Sequence, residues 1–166
     1  MKKITVILAL FVVIMLCITN VKKDIIIPDS AIRFRILANS NSVYDQAIKM
    51  KVENKMQDEL YILLKDINNI DEARKIIKNN LSHLNKVLKS EMQDVNYSYD
   101  IKYGYNFFPK KKYKGTLYKS GKYESLLITL GKAKGDNWWC VLFPPFCLID
   151  SKENNNIKDV EYKFYI

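Results

Sequence analysis

The spacing of apolar residues changes twice along the chain, and each change marks a new kind of element. Over 32–38 it alternates, with Ile32, Phe34, Ile36 and Ala38 on one side and Arg33, Arg35 and Leu37 on the other. This predicts a half-buried strand with its basic face outward. From Tyr44 the spacing lengthens to three and four, through Ile48, Val52, Met56, Leu60, Leu63 and Leu64. An amphipathic helix over 43–65 follows, opened by Ser42 as N-cap with Asp45 three residues on. Asn69 and Glu72 repeat the cap, and Ala73, Ile76, Ile77, Leu81, Leu84 and Leu88 carry a second helix to Met92. The short "DINN" linker makes the two helices an antiparallel hairpin.

The period then returns to two. Val95, Tyr97, Tyr99, Ile101 and Tyr103 alternate with polar residues, a strand with one wet face. "FFPKKKYKGTLYKSG" reads as a Lys-rich loop, and "KYESLLITLG" and "NWWCVLF" as strands joined by a hairpin loop, "KAKGD", between them. The run Leu126 to Leu130 barely alternates, which marks a central strand. Pro144 and Pro145 end the last of these strands. Beyond them a polar linker leads to Val160, Tyr162, Phe164 and Ile166, alternating as a terminal strand. The predicted class is α+β, an antiparallel sheet with a helical hairpin of two amphipathic helices packed on one face.

Composition changes the picture mainly at the N-terminus. Lys2 and Lys3 precede an uncharged apolar run from Ile4 to Ile18, the form of a secretory signal and somewhat short for a membrane span. No small-x-small cleavage site follows, so the segment 1–23 is a cleaved leader or a retained anchor. Residues 24–150 then form one domain, and 151–166 a polar linker with its terminal strand. The chain of 166 residues carries a formal charge of +9, and +7 without residues 1–21. An exported basic domain is drawn to anionic lipid, wall polymer or an acidic protein face, whereas nucleic acid is a poor partner outside the cytoplasm.

Catalytic constellations are hard to assemble from these residues. The one histidine, His83, falls off the apolar stripe of its helix and reads as a solvated surface residue. Two cysteines and a distant histidine make a poor zinc site, and the five scattered glycines form neither a phosphate loop nor a dinucleotide motif. No cofactor is expected. Asp100, Glu124 and Asp136 lie on or beside strands, but nothing in their spacing favours a carboxylate pair. Arg33 and Arg35 form either a bidentate clamp for carboxylates or a charged strand that discourages aggregation. Trp138 and Trp139, adjacent on a strand, must face opposite sides of the sheet. An exposed one would suit a protein interface, and the alternative is that both are covered by packing. Cys140 and Cys147 bond if the chain reverses at the two prolines, and are buried thiols otherwise.

The blocks "IPDSAIRFRILANSNS" and "YESLLITLG…GDNWWCVLFPPFC", in that order, resemble the stage II sporulation protein R family over about 27–150. The resemblance implies an intercellular signal without enzymatic activity, made in the forespore and exported into the space between the two membranes. There it would activate a membrane-embedded aspartic protease that processes pro-sigma-E. In that setting Arg33, Arg35, Asn39, Ser40 and whichever of Trp138 and Trp139 is exposed are the expected contact residues. The competing expectation is a binding module for anionic wall polymer or an anionic membrane surface; a secreted hydrolase is a distant third.

Overall fold

The computed structural model describes residues 25–144, apart from 27, 29, 114 and 115. The N-terminal apolar run, Cys147 and the expected terminal strand lie outside the described residues. The chain begins with β1 (Ile25–Ile26) and β2 (Ile32–Leu37), followed by helices α1 (Val43–Leu64), α2 (Ile70–Asn79) and α3 (Leu81–Glu91). Strands β3 (Tyr99–Phe108), β4 (Lys111–Tyr113), β5 (Thr116–Tyr118), β6 (Gly121–Leu130) and β7 (Asn137–Phe143) complete it.

Both predicted caps form. Ser42 Oγ accepts from the Asp45 amide at 3.1 Å, and Asn69 Oδ1 from the amides of Asp71 at 2.7 Å and Glu72 at 3.4 Å. The helix expected over 70–92 is instead two. They meet at Asn80, whose backbone leaves the helical range at φ −99° and ψ 5° and whose side-chain amide donates back to the Ile76 carbonyl at 2.9 Å, the local competition with the helix that asparagine offers.

The domain is α+β as the pattern predicts, and the sheet is mixed rather than antiparallel throughout. Its order is β3-β6-β2-β7, with β2 parallel to β6 and antiparallel to β7. The strands expected to form a hairpin, β6 and β7, are therefore not neighbours: β2 lies between them. The expected Lys-rich loop also contains structure, since β4 and β5 pair with each other and β5 pairs in parallel with β1 in a small second sheet.

All three helices cover one face of the larger sheet. Ile32, Phe34, Ile36, Leu126, Ile128, Leu130, Cys140 and Leu142 from the strands meet Val52, Met56, Leu60, Leu64, Ala73, Ile77, Leu84 and Leu88 from the helices. Burying a side chain of this size contributes roughly 1.5–3 kcal/mol, so this layer is the main source of stability. Tyr44, expected on the α1 stripe, is exposed, and Asp45 and Lys49 are buried in its stead.

Candidate functional site

The two blocks that carry the family resemblance are about a hundred residues apart in sequence and adjacent in the fold. Strand β2 runs antiparallel to β7 with Phe34 opposite Cys140, Arg35 opposite Trp139 and Ile36 opposite Trp138. Alternation then sorts their side chains. Phe34 and Trp138 go to the helix side, where their rings meet edge to face at 5.2 Å. Arg33, Arg35 and Trp139 go to the other.

That other face is a stack of guanidinium groups and rings. The Arg33 guanidinium lies 3.3 Å from the Tyr123 ring centre, and Arg35 lies 4.8 Å from Trp139 and 5.5 Å from Phe108. Phe108 meets Trp139 edge to face at 4.9 Å, and the Lys111 ammonium stands 5.5 Å from the Trp139 ring. Cation–π contacts strengthen when desolvated. Arg33 is only 1% exposed, so the expectation of a basic face turned wholly outward is corrected for it. The rings of Tyr123 and Phe108 give its long side chain a covered place to lie. Arg35 is half-buried: Nη1 donates to the Phe107 carbonyl at 3.3 Å, and Nη2 to the Asn137 side-chain oxygen at 2.7 Å. Burial lowers its pKa, yet a guanidinium remains charged. The tryptophans divide between the faces as expected, Trp139 buried and Trp138 half-buried.

Asn39 and Ser40 sit where the 131–136 loop crosses the end of β2. Asn39 Nδ2 donates to Asp45 Oδ2 at 2.8 Å, and Ser40 Oγ donates to the same oxygen. On its other side Asn39 Oδ1 accepts from the Lys132 amide at 2.9 Å, while the Gly135 amide donates to the Ala38 carbonyl at 2.9 Å. The crossing is tight enough to require glycine twice. A Cβ at Gly135 would stand 2.2 Å from the Ser40 carbonyl oxygen, and one at Gly131, where φ is +54°, would stand 2.2 Å from Asn39 Oδ1. The Ser40 hydroxyl, then Asn39, holds the Asp45 carboxyl below the ordinary range. Burial first, and the Asp45 charge second, push Tyr97 up to about 12. Both residues expected at a partner surface thus also hold the crossing together. Gln46 and Lys49, missed in the sequence, tie α1 to it: Gln46 Nε2 donates to the Ser40 carbonyl at 2.9 Å and Lys49 Nζ to that of Asp136 at 3.3 Å.

The remaining candidates do not converge. Glu124 is buried beneath α2, accepting from Arg74 Nε at 2.8 Å and Tyr103 Oη at 2.7 Å. Burial, then this hydrogen bond, raises the Tyr103 pKa. Asp100 lies on the opposite face of the sheet, and Asp136 is exposed at the crossing. His83 is exposed on α3, with Nε2 2.9 Å from Glu59 Oε2. Among the described residues no three His, Cys, Asp or Glu side chains group as a metal site. Cys140 is disulfide-bonded; its partner cysteine lies outside the described residues.

The model of the family described as stage II sporulation protein R matches residues 28–153. The chain belongs to that family. Over 143 residues it is 41% identical to the stage II sporulation protein R of Bacillus subtilis (strain 168), covering 85% of this chain and 64% of that protein. It thus spans less than two thirds of this stage II sporulation protein R relative. No solved structure matches. The span matched to the family includes β2, the crossing and β7, so the arginine–aromatic face lies within the shared domain.

Proposed function

We propose that the chain is an exported signal of sporulation that activates a membrane-embedded aspartic protease and so brings about processing of pro-sigma-E. The observation that carries this reading is the family match over 28–153, which takes in both strands of the candidate surface. In this reading the protein is a ligand, not a catalyst. It is made in the forespore, crosses that membrane, and acts by binding the protease's active arrangement more tightly than its idle one, since only differential affinity moves an equilibrium.

Arg35 is the arginine such a partner meets, with a planar donor edge suited to a carboxylate. The buried rings of Trp139 and Phe108 hold its plane. Asn39 and Ser40 at the crossing border the contact, while half-buried Trp138 lies on the helix side of the sheet, away from Arg35.

The test is co-expression of the full chain with the protease and its pro-sigma substrate, scoring cleavage. Cleavage is expected only when the chain is present and exported, with loss on removing residues 1–23. Arg35→Ala, folded and exported, is expected to reduce it at least tenfold. Cleavage that proceeds equally without the chain overturns the reading, and full activity of Arg35→Ala removes that residue from the contact.

A further inference from the structure

One end of the domain gathers positive charge beside the N-terminal segment. Between Tyr105 and Tyr123 the sequence holds six lysines and no carboxylate. The fold fixes where this stretch lies: β4 and β5 form a hairpin, and Ile25 and Ile26 of β1 pair in parallel with Thr116 and Leu117 of β5. Lys22 and Lys23 precede that pairing by three and two residues, and Ile18, the last of the apolar run, by seven. Seven residues of chain reach no further than about 25 Å. Whatever surface the apolar run enters, the basic hairpin is held close to it.

Side chains at the same end fit a lipid surface. Lys110, Lys119 and Lys122 are exposed. Phe107, opposite Lys122 in the β3–β6 register, is 62% exposed, and Tyr105 on the same face of the strand is 73% exposed. Exposed rings interleaved with lysines are the composition of a membrane-interface contact: rings sit at headgroup depth while ammonium groups meet lipid phosphates. The nearest carboxylate in the register, Glu124 opposite Tyr105, is buried and neutralised by Arg74, so it does not oppose an anionic surface.

We propose that this end, through Lys110, Lys119, Lys122, Tyr105 and Phe107, docks on the anionic headgroups of the bilayer that the N-terminal segment reaches. The domain is thereby oriented with its crossing, at the opposite end of β2, away from that bilayer. The proposal rests on the exported reading only in that the apolar run meets a membrane.

Lysine footprinting tests it, using acetylation of the full chain read by mass spectrometry. The chain is placed in vesicles of phosphatidylcholine alone or phosphatidylcholine mixed with phosphatidylglycerol. Lys110, Lys119 and Lys122 are expected to lose reactivity several-fold on the anionic vesicles and to regain it at high salt. Lys86 and Lys89, exposed on α3, are expected not to change. Equal reactivity on both vesicles, protection of all lysines alike, or the same protection by soluble polyphosphate overturns the proposal. As a second arm, a Lys110→Glu, Lys119→Glu, Lys122→Glu variant is expected to lose at least tenfold of the anionic-lipid gain in partitioning. A Lys86→Glu, Lys89→Glu variant is expected to keep it; any other pattern counts against the site. Neither arm involves the protease, so failure here and failure of the activation assay are separate results.

Discussion

The two faces of the larger sheet are made by alternate residues of the same strands and are held by different physics. On the helix face Phe34, Ile36, Leu126 and Ile128 meet aliphatic side chains, and what counts is filled volume. On the other, Arg33 and Arg35 lie over Tyr123, Trp139 and Phe108, and what counts is direction. A volume-filled layer tolerates exchange among aliphatic residues of similar size. A guanidinium stacked on a ring does not tolerate lysine, which has the charge without the plane. The first face supplies most of the stability, and the second supplies a fixed, charged geometry.

That contrast can be broken in several ways. The largest effect is expected at Phe34, fully buried on the helix side: Phe34→Ala should cost about 3–5 kcal/mol in denaturant unfolding. The crossing that seats β7 comes next. Gly135→Ala forces a Cβ onto the Ser40 carbonyl and should cost about 3 kcal/mol, loosening both faces together. On the arginine face, Arg33→Ala should cost about 2 kcal/mol and half-buried Arg35→Ala about 1 kcal/mol. If Arg35→Ala proves the more destabilising, the division into a buried support and a presented group is wrong.

The smallest effect is a pH dependence. The folded-state pKa of Asp45 lies below its unfolded value. Its contribution is therefore present above the ordinary aspartate pKa of about 4 and is lost as pH falls through the lower folded value. Asp45→Asn should lower the melting temperature at neutral pH, with the gap to the parent closing in acid. A gap that widens on acidification would contradict the assignment.

Local signals in the sequence were reliable, and non-local ones were not. The caps at Ser42 and Asn69 and the alternation in β2 and β3 depend on neighbours within a turn or a pleat, and they are legible. Alternation also divides Trp138 from Trp139, but it says nothing about what covers the second face, and so Arg33 reads as exposed when it is buried. The 131–136 loop looks like a hairpin because it is short and glycine-bearing. Its glycines are needed instead for passage over β2, a contact with a segment more than ninety residues earlier. The same non-local insertion makes the sheet mixed. Asn39 and Ser40 are expected only at a partner surface: their bonds to Asp45, six and five residues on, are local and within reach of the cap pattern, whereas the Lys132 amide that meets Asn39 arrives only through that passage.

The place of β2 between β6 and β7 also sets when the domain is completed. It is among the first strands to leave the ribosome, yet its partners on the two sides begin at Gly121 and Asn137. Pairings this distant close late and slowly. A chain emerging in order keeps its central strand unpaired until β6 and then β7 have been delivered, so the larger sheet closes from its last strands inward.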